Sequence, residues 1–253
     1  MLIIGNWKLN GRKENIKNFF VKLNNLCERF NIKNDISISP PTIYLNKSYN
    51  VLKNINNSRI SLTAQNIDIN LSGPFTGETS VEMLKDFNVK YIIVGHSERR
   101  IHHNENNEIV SKKFYLVKKN NFIPILCVGE SKRKKIEEAK KNIKKQIDVI
   151  LKYCGKYSFR NSIIAYEPIW AIGSGFSADP DYVNDIHFFI KNYISKEDIF
   201  FKKNNLIIQY GGSVSEKNVQ DFLSKKYIDG ILVGGCSLLV ETFFPIIKKS
   251  DAI

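Results

Sequence analysis

Cysteine is scarce in this chain of 253 residues: Cys27, Cys127, Cys154 and Cys236 stand far apart, with no C-x-x-C spacing. That excludes a disulfide-stapled scaffold and a zinc knuckle, and it fits a reducing, cytosolic compartment. Cys127, inside the apolar run Pro124-Ile-Leu-Cys-Val128, reads as a core residue. No run of about 18 apolar residues occurs, so no membrane-spanning helix is expected. No basic leader or cleavage signal precedes the first apolar run, so no targeting peptide is expected. No proline- or serine-rich linker interrupts the chain, and one domain covering residues 1–253 is the expectation. Acidic residues are also in deficit. There are 25 Asp+Glu against 38 Lys+Arg, a formal net charge of +13.

Such a charge has two readings: an anionic partner, or a lysine-rich solvated surface. The basic run Lys132-Arg-Lys-Lys135 opens a segment whose apolar residues Ile136, Ala139, Ile143, Ile147, Ile150 and Leu151 trace one helical face. Lys140, Lys141, Lys144 and Lys145 lie mostly off that face, as solvated lysines would. Aromatic residues are not interleaved with them, so a stacking platform for nucleic acid is not indicated. A basic polyanion-binding protein on a barrel scaffold remains the alternative function.

Short β-rich apolar runs alternate with longer amphipathic stretches. Strands are expected at 2–7, 36–40, 60–65, 90–95, 122–128, 161–167, 205–210 and 228–233. Helical patterns fall near 13–31, 43–55, 80–87, 104–119, 131–153, 179–195, 215–224 and 237–247. Eight βα units of about 32 residues each suit the βαβ repeat. Consecutive apolar positions in Tyr91-Ile-Ile-Val94 and Ile231-Leu-Val233 fit strands buried on both faces. The expected fold is therefore a single α/β (β/α)8 barrel of eight parallel strands, with an open doubly wound sheet as the alternative. Residues 66–79 form a long loop carrying Leu71 and Phe75, more apolar surface than a solvated loop needs.

In a parallel barrel, chemistry collects where the strands end. Those ends carry Asn6-Trp-Lys8, Gly95-His-Ser-Glu98, Tyr166-Glu-Pro168, Tyr210-Gly-Gly-Ser213 and Val233-Gly-Gly235. Taken singly, Glu167 reads as a surface carboxylate, His96 as a structural histidine and Lys8 as a solvated lysine with a buried stem. Together they offer a base, an electrophile and a cation. The glycine pairs after strands 7 and 8, with Gly173-Ser-Gly175, would cradle a phosphate on backbone N–H groups. Their alternative is a set of tight turns needing positive φ. The whole set suits a phosphorylated carbonyl compound. Segment 168–178 (Pro168, Ile169, Trp170, Ala171, Ile172, Gly173, Ser174, Gly175, Phe176, Ser177, Ala178) is apolar in its first half and bounded by proline and small residues, as a lid would be. An ordinary packed loop is the other reading.

Seven motifs carry a family resemblance over the whole chain. Gly5-Asn-Trp-Lys-Leu-Asn10, Gly73-Pro-Phe-Thr-Gly-Glu78, Val94-Gly-His-Ser-Glu-Arg-Arg100 and Pro124-Ile-Leu-Cys-Val-Gly-Glu130 are followed, in family order, by Ala165-Tyr-Glu-Pro-Ile-Trp-Ala-Ile-Gly-Ser-Gly175, Tyr210-Gly-Gly-Ser-Val214 and Asp229-Gly-Ile-Leu-Val-Gly-Gly235. They resemble the triosephosphate isomerase family. The resemblance implies interconversion of dihydroxyacetone phosphate and glyceraldehyde 3-phosphate, a cytoplasmic step of glycolysis and gluconeogenesis, with no metal or organic cofactor. It implies Glu167 as base, His96 as the neutral imidazole at the carbonyl, Lys8 as the cation beside the enediolate, Asn6 near the substrate oxygen and Glu98 as the carboxylate that positions the lysine. Gly173, Ser213, Gly234 and Gly235 match phosphate donors, and Tyr210 and Ser213 match the residues that latch a closed lid. Loop 66–79 is similar to the family's dimer loop, which would bring Thr76 to the partner's Asn6 and the partner's Glu98 in a homodimer. Ser174, Phe176, Leu9, Pro74 and Thr79 depart from common family patterns without removing a reacting group. A Schiff-base aldolase using Lys8 would need a depressed lysine pKa, and the neighbouring Glu98 favours a charged lysine instead. Cys27, His102, His103 and His187 have no assigned role and read as structural or solvated.

Overall fold

A computed structural model describes residues 1–55, 59–133, 135–171, 177–198 and 205–253. The strands are β1 (Leu2–Asn6), β2 (Asp35–Ser39), β3 (Ile60–Ala64), β4 (Val89–Val94), β5 (Ile123–Val128), β6 (Ile163–Tyr166), β7 (Ile207–Tyr210) and β8 (Gly230–Val233). All pair in parallel in chain order, and β8 closes on β1 from Leu2↔Gly230 to Gly5↔Val233. Closure excludes the open sheet and gives the expected (β/α)8 barrel.

Among the described residues the helices are α1 (Lys13–Arg29), α2 (Leu45–Lys53), α3 (Ser97–His102), α4 (Asn107–Lys119), α5 (Ile136–Cys154), α6 (Pro180–Glu197), α7 (Val219–Leu223) and α8 (Val240–Asp251). The α5 face is as expected: Ala139, Ile143, Ile147 and Ile150 are buried, while Lys141, Lys144 and Lys145 are exposed. Asp179 caps α6, its Oδ1 accepting from the backbone N–H of Asp181 at 3.0 Å and Tyr182 at 2.9 Å, with Pro180 in the first turn. Asn88 and Asn121 take left-handed backbone (φ 48° and 62°) one or two residues before β4 and β5, a conformation asparagine tolerates better than most side chains. No helix among the described residues is long and apolar enough to cross a membrane.

Three helical expectations change. The segment near 80–87 holds only a 3-10 turn, Met83–Phe87, so no α-helix follows β3. The stretch near 215–224 contracts to α7, because Asn218 Oδ1 accepts from Ser215 N at 2.8 Å and holds a turn there. Helix α3 follows His96 directly and was not anticipated. Its six residues, Ser-Glu-Arg-Arg-Ile-His, carry a single aliphatic side chain and therefore no apolar period.

Side chains along each strand alternate between two apolar layers. Ile3, Ile36, Ile38, Leu62, Ile92, Val94, Leu126, Ile164, Ile208 and Ile231 belong to the large cluster shared with the helices. Leu2, Ile4, Tyr91, Ile93, Ile125, Cys127, Ile163, Ala165 and Leu232 form a separate cluster of strand residues that fills the barrel. Cys127 is thus a core residue. Three polar side chains complete the interior: Ser37 Oγ lies 2.7 Å from Thr63 Oγ1, and Gln209 Nε2 donates to the Leu2 carbonyl at 3.0 Å.

Candidate active site

The inward register sets which residues reach the barrel mouth. Continuing 2 and 4 in β1 leads to Asn6. Continuing 163 and 165 leads to Glu167, 125 and 127 to Gly129, and 232 to Gly234. Ladder bonds run on past the strand ends to hold this register. Glu167 N donates to the Val128 carbonyl and Gly211 N to the Tyr166 carbonyl, each at 2.8 Å.

Lys8 lies two residues beyond Asn6 and has φ of 52°, a left-handed backbone uncommon for a long side chain. Two side chains hold it there. Asn6 Oδ1 accepts from Lys8 N at 3.0 Å, and Gln65 Nε2 donates to the carbonyls of Lys8 and Ser39, both at 2.9 Å. The Lys8 ammonium is 2.5 Å from Glu98 Oε1. Partial burial works against ionisation of Glu98, but the hydrogen bond from Lys8 and the surrounding positive charge prevail and lower its pKa. Glu98 is therefore a carboxylate that holds the Lys8 side chain in place.

His96 sits at the N-terminus of α3. Its Nδ1 accepts from the backbone N–H of Glu98 at 3.3 Å, so the ring proton belongs on Nε2. Nε2 lies 3.1 Å from Glu167 Oε1. The other carboxylate oxygen, Oε2, accepts from Ser97 N at 3.0 Å. Both side chains are buried. Gly95, preceding the histidine, has φ of +70°, and a Cβ there would meet Arg100 Nη2 and Val110 at 2.9 Å. Arg100 fills that space, its Nε donating to the Gly95 carbonyl at 2.8 Å.

Glycines wedge Glu167 from two neighbouring strands. A Cβ on Gly129 would come within 1.9 Å of the Glu167 carbonyl oxygen, and one on Gly211 within 3.0 Å of Glu167 Cγ. These residues, with Gln65, Ser97 and Arg100, are supports that pattern reading missed. Gly129 and Gly211 could have been found, since each falls where an inward side chain should stand. None of Gly211, Gly212, Gly234 and Gly235 has positive φ, so the tight-turn alternative does not account for them. A Cβ on Gly234 would touch Lys8 Cε at 3.5 Å, whereas Gly235 faces open space. Asn6, Lys8, Gln65, His96 and Glu98 line a cleft of about 580 Å³ that extends to Thr42, His102 and the end of the 66–79 loop. Among the described residues, no group of three His, Cys, Asp or Glu side chains is arranged to hold a metal ion.

The sequence model of the family described as triosephosphate isomerase matches residues 1–250. The chain belongs to the triosephosphate isomerase family. It is similar to the triosephosphate isomerase of Buchnera aphidicola subsp. Schizaphis graminum, with 53% identity over 99% of this chain and 98% of that protein. It is 50% identical to the Wigglesworthia glossinidia brevipalpis protein, over 97% of this chain and 94% of the other. The Blochmanniella floridana protein is 47% identical, over 98% and 95% respectively.

The segment read as a lid in this family member is described only at its two ends. Residues Ile169–Ala171 form a 3-10 turn, with Trp170 Nε1 donating to Glu130 Oε1 at 2.8 Å and Ile169 N to the Glu130 carbonyl at 3.0 Å. Glu130 also accepts from Tyr166 Oη at 3.0 Å. Its burial raises its pKa, against the hydrogen bonds it receives. At the far end Ala178 N donates to Tyr210 Oη at 3.1 Å. Burial pushes that phenol up to about 12, so it stays neutral. Ile172, Gly173, Ser174, Gly175 and Phe176 lie outside the described residues, and with them the Gly173 phosphate donor. Ser213 is half-buried, its carbonyl accepting from Asn218 Nδ2 at 3.1 Å.

Proposed function

We propose that this chain interconverts dihydroxyacetone phosphate and D-glyceraldehyde 3-phosphate, with Glu167 carrying the proton through an enediolate. A C–H beside a carbonyl is a weak acid, and a carboxylate removes its proton quickly only if the forming oxyanion is stabilised. His96 presents the donor: its proton is on Nε2 because Nδ1 is occupied by the Glu98 N–H. That proton faces Glu167 Oε1. Substrate must therefore insert its carbonyl oxygen in place of the carboxylate, which frees Glu167 from His96 and from the Ser97 N–H. The freed carboxylate can then turn to the carbon that carries the proton. The same carboxylate then returns the proton to the neighbouring carbon. Lys8 and Asn6 face the enediolate oxygens, and Glu98 keeps the lysine aimed.

The phosphate rests on the backbone at Ser213, Gly234, Gly235 and Gly173. The open space at Gly235 supports this for one of them. Segment 168–178 is the lid, anchored by Trp170 to Glu130 and by Ala178 to Tyr210. Exclusion of water protects an enediolate that would otherwise expel its phosphate. The enzyme works in the cytoplasm as a homodimer of single-domain subunits. The cleft beside Asn6 and Glu98 is much larger than a three-carbon ligand, and the loop tip presents exposed Leu71 and Phe75, which fits Thr76 of a second copy entering it.

The observation that carries this reading is the 3.1 Å approach of His96 Nε2 to Glu167 Oε1 at the mouth that also holds Lys8. A coupled assay on purified protein without added metal tests it. Glu167→Gln should lose about 10²–10⁴-fold in kcat. Turnover undiminished in that variant would remove Glu167 from its role.

A further inference from the structure

We propose that the opposite end of the barrel carries a second site, which binds a nucleoside phosphate. A cavity of about 610 Å³ opens there between α2 and the starts of β3 and β4. Its size is that of a small-molecule site and far exceeds a bare phosphate. Two local departures from the βα repeat create it. The β3–β4 connection has only the Met83–Phe87 turn and no α-helix to cover the strands. The pairing of β3 with β4 also shifts, from Leu62↔Val89 to Thr63↔Tyr91, so that Lys90 is skipped. Val89 consequently joins the outer apolar cluster while Tyr91 turns into the barrel.

The lining is of two kinds. Tyr49 and Phe87 are partly buried against the outer core and give an apolar, aromatic wall. Lys53, Arg59 and Lys90 stand at the same cavity, with Asp35 as the one carboxylate among its lining residues. Among the described residues neither Lys53 nor Lys90 has a carboxylate within ion-pair distance, and the Lys90 ammonium lies 5.1 Å from the centre of the Tyr91 ring. Cations gathered beside an aromatic wall suit a ligand with a planar apolar body and a multiply charged phosphate tail. The site is remote from the isomerase mouth. Lys90 and His96 are six residues apart along β4 and its extension, about 20 Å at the rise of a strand. The two ligands should therefore bind together.

Titration calorimetry of the full chain with ADP tests the proposal, at physiological salt and with saturating glycerol 3-phosphate to occupy the other phosphate site. We expect one ADP per chain, with adenosine and inorganic phosphate each binding more weakly. The double variant Lys53→Glu/Lys90→Glu changes only exposed side chains. It should weaken ADP binding by at least about tenfold, the equivalent of one charge-assisted hydrogen bond. The exposed pair Lys141→Glu/Lys145→Glu on α5 makes the same change in net charge and should leave ADP binding unaltered. Absence of saturable ADP binding would overturn the proposal. So would equal weakening in both double variants, which would mean a diffuse field, or inorganic phosphate binding as tightly as ADP, which would leave the aromatic wall without a role.

Discussion

Adding one methyl group at Gly129 should disable the enzyme without touching a reacting side chain. The new Cβ would stand 1.9 Å from the Glu167 carbonyl oxygen, whereas such contacts are not found below 3.0 Å. Relief requires a displacement of about 1 Å in a strand end where the free space between Gly129 and Glu167 amounts to only about 10 Å³. Glu167 N is bonded to the Val128 carbonyl at 2.8 Å, so backbone and carboxylate must move together. A misplacement of about 1 Å in a reacting group costs about 10²-fold. We therefore expect Gly129→Ala to lower kcat/KM by about that factor in the coupled assay. In a Glu167→Gln background the same change should cost little more, because the group it displaces is already lost. Gly211→Ala provides a milder comparison. Its Cβ would meet a side-chain atom, Glu167 Cγ, at 3.0 Å, and a few tenths of an ångström suffice, so a loss near tenfold is expected. Folding is followed by circular dichroism and thermal melting. A folded Gly129→Ala enzyme with wild-type kcat/KM would show that the wedge does not position Glu167, as would a full second loss in the Glu167→Gln background.

His187 is fully buried, and desolvation depresses its pKa from 6.5 to about 3, so only the unfolded chain binds its proton between those values. Stability attributable to this group is complete above about pH 6.5 and declines as pH falls toward 3. By pH 5 the loss is about 2 kcal/mol. His187→Gln should flatten that part of the pH dependence in urea unfolding, and an unchanged slope would contradict it. Tyr210→Phe removes the acceptor of the Ala178 N–H, both residues being buried, at a cost of about 1–3 kcal/mol. Activity should fall and a larger share of substrate should release free phosphate; phosphate release unchanged at reduced activity would sever Tyr210 from the lid. Lys113 and Glu105 form a buried pair at 2.5 Å, with Arg99 on the same carboxylate oxygen and Asn66 at the base of the long loop accepting from the lysine at 2.8 Å. Lys113→Met should destabilise the fold by about 3 kcal/mol in urea titration, and a change below about 0.5 kcal/mol would contradict a structural role.

Much of the barrel was legible because burial on both faces writes long apolar runs. Tyr91-Ile-Ile-Val94 and Ile231-Leu-Val233 could hardly be anything but enclosed strands. The residues at the mouth followed because strand ends are fixed by the same runs, which locate Asn6, His96 and Glu167 within a residue. What escaped was whatever depends on contact rather than period. Helix α3 has too few apolar positions to announce itself, although it supplies the Ser97 and Glu98 N–H groups that orient Glu167 and His96. The wedge at Gly129 exists only when β5 and β6 lie side by side. Gln65 reaches Lys8 across 57 positions, and no local pattern marks such a bond. The missing helix after β3 was masked by residues 80–87, whose composition suits a helix but whose five-residue turn never lengthens into one.

In the proposed mechanism one carboxylate, Glu167, takes a proton from carbon and gives it back to the neighbouring carbon. Isomerisation of glyceraldehyde 3-phosphate in D2O, followed by NMR, tests this most directly. Proton transfer through Glu167 gives wild-type product in which part of the receiving carbon carries deuterium, exchanged onto the carboxyl from solvent, and part carries the substrate's own hydrogen, with almost no product of either kind from Glu167→Gln. Rapid formation of deuterium-free product by both proteins would contradict it.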